Sequence, residues 1–354
     1  MQRLFNWIKN KIYWIKLFRK DLATYPSKNI SFKEKTFAFF KGFYPSILLI
    51  NGINKKNHHL FLSTYDYAIT PSPNEPFKVI AENKLNIYFL LKDYPEFLPN
   101  YYFYKDTSGF LPLYKHNKET YRLDIEHFID FLEEKKCLAC KPCLSRWGEG
   151  FMKIEKKNEF FINNKPYSTL EFIATILPLK HYIITEYVEQ HPYAQEIYPH
   201  SVNTVRLLCI WNSEKKSFEL VNAFHRFGSD NQTIDNLRSG SGIAVFIDLE
   251  NGRFTDTIIS NPHKKGFKFE NITTHPTTHK DITQIEIPNW NYIKTKIIEI
   301  SNQLSFLKFV GYDIAITKDG FKILEINLKP GMQSLQVGKP LLAHKWIKKT
   351  LLSQ

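Results

Sequence analysis

The run Gly311-Tyr312-Asp313-Ile314-Ala315-Ile316-Thr317-Lys318-Asp319-Gly320-Phe321-Lys322-Ile323-Leu324-Glu325-Ile326-Asn327 constrains this chain more than any other segment. It reads as two short apolar strands joined at Lys318-Asp319-Gly320, a three-residue loop with glycine in the left-handed position. That register pairs Thr317 with Phe321 and sets Asp313 opposite Glu325. Side chains alternate along strands, so Asn327 shares a face with both acids. The other face carries Tyr312, Ile314, Ile316, Leu324 and Ile326 and suits a core. Two carboxylates and an amide oxygen converging above a sheet suit a hard cation such as Mg2+, which prefers oxygen ligands and keeps phosphates as partners. The same spacing also suits a half-exposed hairpin with a polar outer face.

Other segments favour the first reading. An Asp on one strand, Glu-x-Asn on the next and then Pro330-Gly331-Met332 resemble the metal-binding end of ATP-grasp enzymes. Cys140-Lys141-Pro142 followed by Ser145-Arg146-Trp147-Gly148-Glu149-Gly150 resembles that superfamily's lysine and glycine-bearing phosphate loop. Asn83-Lys84, opening a helical run before Pro99, is similar to its first nucleotide lysine. Tyr182 to Glu189, an apolar strand ending in acids, is similar to its adenine hinge. More narrowly, Ser201-Val-Asn203-Thr204-Val-Arg206, Asp235-Asn236 with Ser239-Gly240-Ser241-Gly242, Phe246-Ile-Asp248 and His275-Pro276 together resemble the sugar-transfer-associated ATP-grasp proteins of bacterial surface-polysaccharide loci. The likeness covers roughly Lys84 to Gln336, and more loosely the segment from about Pro45.

That resemblance implies an α+β fold in which two lobes clamp ATP, here residues 83–188 and 189–354, preceded by a mixed helical extension over residues 1–82. It implies transfer of the terminal phosphoryl group, usually to a carboxylate, and attack on the acyl phosphate by an amine. Such catalysis depends on position and charge neutralisation. Lys84 and Lys141 would neutralise phosphates, and Gly148 and Gly150 would let backbone amides close on them. Glu186, Val188 and Glu189 would meet adenine and ribose. Asp313, Glu325 and Asn327 would hold Mg2+. Arg206 would stabilise the transferring phosphoryl group or the substrate carboxylate. Many ligases of the superfamily carry an arginine just before the metal-binding Asp; Gly311 stands there, so the role falls to Arg206 or Arg226. Asn203, Arg226, Asn236 and Ser239 are candidates for the acceptor pocket. His225 and His275 receive no chemical role.

Composition decides less. With 48 basic against 35 acidic residues the net charge is +13, which favours anionic partners without choosing among them. A hydrophobic content of 43% and a charged content of 23% are ordinary for a globular protein, and 354 residues can bury a substantial core. The apolar run Ser46–Ile50 is far too short to span a bilayer, and basic residues interrupt the N-terminus, which argues against a secretory signal. Cys137, Cys140 and Cys143 have metal-like spacing, but Trp147 stands where a ferredoxin run needs its next ligand. Buried hydrophobes in a reducing cytosol are the better reading.

Helical spacing is expected from about Lys84 to Asp93, from Asp124 to Lys136, after the capping box Ser168-Thr-Leu-Glu171, from Asn289 to Leu304 and from Leu341 to Leu352. Strands are expected at Tyr182–Val188, Thr204–Ile210, Phe218–Phe224 and Ile243–Ile247. Residues 1–20 alternate aromatic and basic groups: either an interfacial anchor at the inner membrane face or a helix packed on the body with solvated lysines. The leading expectation is a cytoplasmic Mg-ATP-dependent ligase joining a small-molecule carboxylate to an amine acceptor, with a sugar nucleotide as the acceptor the family context suggests. Its rivals are a kinase that stops at phosphorylation and a non-catalytic basic module on a membrane surface or nucleic acid. Nucleic acid is not expected as a partner, because a degenerate site has no reason to keep Asp313, Glu325 and Asn327 together.

Overall fold

The computed structural model describes residues 2–24, 30–75, 77–113, 122–145, 148–237, 242–260, 268–331 and 335–352. Helices α1 (Gln2–Thr24), α2 (Phe32–Lys41), α3 (Pro45–Asn51) and α4 (Thr64–Ile69) come first, followed by α5 (Lys78–Glu82) and α6 (Lys84–Leu90). Strands β1 (Tyr101–Asp106) and β2 (Gly109–Pro112), helix α7 (Ile125–Lys135), and strands β3 (Cys137–Pro142), β4 (Met152–Lys156), β5 (Phe160–Ile162) and β6 (Lys165–Tyr167) come next. Then follow α8 (Thr169–Ile176), β7 (Tyr182–Glu186), α9 (Pro192–Ile197), β8 (Thr204–Asn212), β9 (Ser217–Phe227), β10 (Ile243–Ile247), β11 (Phe254–Ser260) and β12 (Lys268–Glu270). The series closes with α10 (Trp290–Gln303), β13 (Phe309–Thr317), β14 (Gly320–Asn327) and α11 (Lys345–Leu352).

The strands form two seven-stranded sheets, β2-β1-β7-β3-β4-β5-β6 and β12-β11-β10-β9-β8-β13-β14, with every pairing antiparallel. This is the expected α+β class. The first sheet buries one face under α7 and α8, where Phe110 stacks on Phe128 and Phe160 on Phe172, each pair at 4.2 Å. The capping box at Ser168 forms as the sequence requires, with Glu171 returning a bond to the Ser168 backbone. Helix α7 starts from the side chain of Asp124.

Alternation sorts the second sheet. Val205, Leu207, Tyr312 and Ile314 turn to one face and pack with Ile293, Ile297 and Ile300 of α10. Leu208, Ile210 and Phe309 turn to the other, where Trp14, Phe18, Ile47 and Leu48 from the N-terminal helices meet Ile347 and Leu351 of α11. The opening helices are therefore part of the larger core. Buried Asn74 bonds the carbonyls of Phe309 and Leu328 and accepts from the amides of Lys308 and Phe309, while Gln336 pairs both ways with the Leu62 backbone. Helix α6 also sinks Ile87 into the α10 core.

Most boundaries follow the periodicity. Helix α6 ends at Leu90, short of Asp93, and a 3-10 turn at Pro95–Phe97 follows. The C-terminal segment opens with a 3-10 turn at Leu341–Ala343, and its α-helix begins only at Lys345. Strands β8 and β9 run longer than the apolar pattern, to Asn212 and Phe227. The hairpin departs more informatively. Thr317 pairs with Gly320 rather than Phe321, so Lys318-Asp319 is a two-residue turn. That turn alone would set Asp313 against Leu324; a bulge between Ile314 and Asp313 absorbs Leu324 and restores the Asp313–Glu325 pair. Consequently Ile323 is fully buried and Leu324 only partly so.

Helix α1 is fastened by Asp21, whose carboxylate accepts from the Ser46 hydroxyl at 2.8 Å and the Ser46 amide at 3.3 Å. Burial pushes this carboxyl up to about 6, against those two bonds. A group whose folded pKa lies above its unfolded value stabilises the fold when protonated, so this joint weakens as pH rises between about 4 and 6. Asp21→Asn is expected to raise the melting temperature by roughly 2–4 °C near pH 7.5 and to have little effect near pH 4.5. Thermal denaturation at both pH values checks this, and equal shifts at the two would contradict it.

Candidate active site

Four strands bring the charged residues together. On adjacent strands β14, β13 and β8, Glu325, Asp313 and Arg206 stand directly across from one another, and Asn327 pairs opposite Gly311 one step further along. Arg206 grips Asp313 with two bonds, from Nε to Oδ1 and from an Nη to Oδ2, the latter at 2.7 Å. Arg226, from β9, adds a third contact to Oδ2 at 3.2 Å, and the Asn327 amide donates to the same oxygen at 3.4 Å. Burial pushes the Asp313 carboxyl up, but Arg206 and Arg226 outweigh it and hold the group below its ordinary range. Arg226 is itself held by Thr204 and by Asp235 at 3.4 Å. Asp235 also accepts from the Thr204 amide at 2.7 Å, and burial raises its carboxyl despite Arg226 beside it.

Gly311 has a spatial reason. A Cβ there would lie 3.2 Å from Pro330 Cβ and 3.5 Å from Arg206 Cδ. The tight approach is to Pro330, so a side chain here would press on the segment that follows β14, while Arg206 would stay at ordinary contact distance.

The phosphate-side candidates converge on the same place. Lys84 opens α6 with its amide bonded to the Cys143 carbonyl at the end of β3, and its Nζ donates to the Ser145 carbonyl at 2.9 Å. That Nζ also lies 3.5 Å from Glu325. Lys141, on β3, is depressed to about 8 by burial and by Lys84, with Glu325 opposing. Lys84 from α6, Lys141 from the first sheet and Glu325 from the second thus come together. Gly148 and Gly150 both take positive φ, 75° and 73°. A Cβ on Gly148 would meet Ile234 at 3.0 Å, so this turn leans on the residue next to Asp235.

The nucleotide-base candidates divide. Glu186 does not stand free for ribose: its carboxylate accepts from the backbone and side-chain amides of Asn100, both at 3.0 Å, and ties β7 to the start of β1. Val188 is buried, and Glu189 is exposed beside it. Lys153 on β4 lies over the Tyr187 ring at 5.0 Å and pairs with Glu155 at 3.1 Å.

Asn203 also departs from expectation. Its amide nitrogen donates to Gln190, Ala194 and Tyr198, and its oxygen accepts from Ser201 and Gly228, so its bonds are filled within the protein. A substrate contact would cost it those partners. Asn236 is described beside Asp235, whereas Ser239, Arg146 and Trp147 lie outside the described residues. His225 is buried between Tyr193 and the Arg226 carbonyl, and burial lowers it to about 3. His275 bonds the Gly228 carbonyl. Both are engaged in bonds within the protein.

Sequence places Thr204 and Asp235 in resembling motifs without a role, and does not single out Tyr67. Tyr67 donates to the Pro330 carbonyl at 2.7 Å, and its burial places it close enough to sense Arg206. Asp235 is signalled only by the Asp-Asn pair preceding the glycine-serine run, and no local pattern marks Tyr67.

The cation test is chemical. Among the described residues no group of three or more His, Cys, Asp or Glu forms a cage, and Cys140 and Cys143 belong to different cores. Glu325 and Asn327 nevertheless present hard oxygen donors beside two lysines, with Asp313 already neutralised by guanidinium groups. This donor set fits Mg2+ bound through one or two protein groups and completed by phosphates.

Among curated proteins no sequence match is found. Structural similarity extends to D-alanine–D-alanine ligase from Bacillus anthracis, at 11% identity and a TM-score of 0.36, covering 72% of this chain and 58% of that one. It extends also to the ATP-grasp ligase PsnB complexed with a minimal precursor, at 14% and 0.39 over 81% and 65%, and to the VanG D-Ala:D-Ser ligase from Enterococcus faecalis, at 13% and 0.37 over 76% and 57%. The chain thus spans less than two thirds of the length of these ligases, and at these scores none of them bears on its substrate. The model of the sugar-transfer associated ATP-grasp family matches residues 108–349, from β2 through most of α11. Since that match takes in nearly all of both sheets and well over half of the sequence, the chain belongs to the sugar-transfer associated ATP-grasp family.

Proposed function

We propose that the protein is an Mg-ATP-dependent, ADP-forming ligase that joins a carboxylate to an amine through an acyl phosphate. The observation that carries this reading is the meeting of Lys84, Lys141 and Glu325 in one cleft, beside an Asp313 already paired with two arginines. The acceptor class we propose is a sugar or sugar nucleotide of surface-polysaccharide biosynthesis in the cytoplasm, which accords with the family's association with sugar transfer. The sheets on either side of residue 188 act as the two lobes, with α6 staying with the larger core.

In this reading Lys84 and Lys141 neutralise phosphate oxygens, and the turn at Gly148 to Gly150 offers backbone amides to them. The Val188 backbone meets adenine, and Glu189, rather than Glu186, is left for ribose. Glu325 and Asn327, with Asp313, would hold Mg2+, which supplies Lewis-acid neutralisation of the phosphates. Arg226, fixed by Thr204 and Asp235, orients the substrate carboxylate, and Arg206 faces the transferring group. A carboxylate oxygen of the substrate attacks the terminal phosphorus, and the bond to the bridging oxygen breaks to release ADP. The amine then attacks the acyl carbon, inorganic phosphate leaves, and the amine proton passes to the departing phosphate or solvent. Asn236 and Ser239 lie on the segment proposed to face the acceptor.

The test is Mg2+-dependent ADP release with pooled amino acids, uronic acids and amino sugars, with hydroxylamine as a trap. Glu325→Gln is the cleaner control, because Glu325 is one-third exposed and its loss strands only Lys84. Asp313→Asn would leave two buried guanidinium groups facing each other, at a cost of about 3–5 kcal/mol, so its melting temperature must be measured alongside. Hydroxamate from the intact protein and at least a hundredfold less from Glu325→Gln is expected. ADP without hydroxamate would point instead to a kinase.

The depressed Lys141 gives a second test. Above about pH 8 it loses its proton, so ATP affinity is expected to weaken severalfold between about pH 7 and pH 9. Lys141→Arg stays charged throughout and should flatten this dependence in titration calorimetry. The same slope in both proteins would remove Lys141 from the phosphate site.

A further inference from the structure

Helix α1 presents two separate faces. Trp14, Phe18 and Asp21 are its buried residues, and their spacing puts them on one side of the helix. Trp14 stacks on Tyr44 at 5.7 Å and donates to the Phe39 carbonyl at 3.2 Å, so this side is firmly seated on the body. About a third of a turn around the helix lies a second apolar stripe, Leu4, Phe5, Ile8, Ile12 and Ile15. These side chains are 63%, 63%, 43%, 51% and 41% exposed. Among the described residues none of the five belongs to a core cluster or packs against one. Helical geometry sets Lys9, Lys16 and Lys20 along one edge of the stripe. The only acid on the helix is Asp21, which is buried. On α2, Phe40 is 78% exposed and lies 5.5 Å from Phe39, which packs against Phe18 at 5.1 Å, so exposed aromatic surface continues beside the helix.

A continuous apolar stripe left in water is unfavourable, and lysines beside it with no exposed acid on the same helix complement a negative surface. No helix of the described residues is long and apolar enough to cross a membrane. A helix with rings and aliphatic groups on one side and lysines beside them suits the boundary between headgroups and acyl chains of an anionic bilayer. We propose that α1 is an interfacial anchor that lays its Leu4–Ile15 stripe on an anionic phospholipid surface, with Lys9, Lys16 and Lys20 among the headgroups. Burial of Trp14, Phe18 and Asp21 removes one side of the helix from consideration; the stripe then runs beside Lys9, Lys16 and Lys20, with exposed Arg19 in line with its C-terminal end. This inference is independent of the ligase reading, because it uses no residue assigned there to ATP, Mg2+ or the acceptor.

The experiment is co-sedimentation of the full chain with vesicles of phosphatidylglycerol and phosphatidylcholine, compared with phosphatidylcholine alone, at low and high salt. Binding at least tenfold tighter to the anionic vesicles and weakened by salt is expected. Ile8→Glu with Ile12→Glu should reduce it at least tenfold, and so should charge reversal at Lys9, Lys16 and Lys20, with unchanged melting temperature and unchanged ATP turnover in vesicle-free solution. Absence of vesicle binding, or equal binding by the variants, would overturn the proposal. A dimer of the intact chain in analytical ultracentrifugation that the Ile8/Ile12 variant dissolves would overturn it too, assigning the stripe to a second copy.

Discussion

The ion cluster centred on Asp313 governs the architecture around it. One buried carboxylate meets guanidinium groups from two neighbouring strands, and the desolvation of all three is tolerable only because each is paired. That requirement explains several residues that otherwise look unrelated. Gly311 leaves room for Pro330 beside the cluster, and Thr204 with Asp235 supplies the counter-charge that keeps Arg226 turned toward the strand pair. A bulge at Leu324 keeps Glu325 in line with Asp313 in spite of a shorter turn. The result is a face where the tightly paired Asp313 cluster lies beside the looser grouping of Lys84, Lys141 and Glu325.

The same face continues into the core that the N-terminal helices share with α11. Asn74, Gln336 and Tyr67 stitch these helices to the backbone on both sides of the hairpin. Tyr67 reaches Pro330 just beyond the site, so the N-terminal region closes the floor on which Arg206 rests. Seating α1 and forming the cleft are therefore two ends of one packing problem.

Local chemistry was legible in the sequence where it was carried by periodicity or by a spacing with one physical solution. The capping box at Ser168, the strands around Arg206 and the facing of Asp313 and Glu325 all belong to that class. The expected register of the turn was one residue off, yet the acid pair survived, because a bulge compensates in a way that no alternation pattern reveals. What sequence did not show is partner choice across long separations. Glu186 closes on Asn100, Asn203 fills its bonds with groups as far off as Gln190 and Gly228, and Tyr67 acts across a separation of 263 residues. A polar residue in a resembling motif looks equally available for a ligand or a neighbour until the neighbour is located. The N-terminal helix shows the converse: its stripe emerges only once the docked side has been subtracted.

The most direct measurement is titration calorimetry of Mg-ATP against the intact protein and against Lys84→Met and Glu325→Gln. Binding by the intact protein that falls at least tenfold on loss of Lys84, with loss of Glu325 removing its Mg2+ dependence, is the expected result. Nucleotide binding indifferent to both substitutions would contradict the placement of ATP in this cleft.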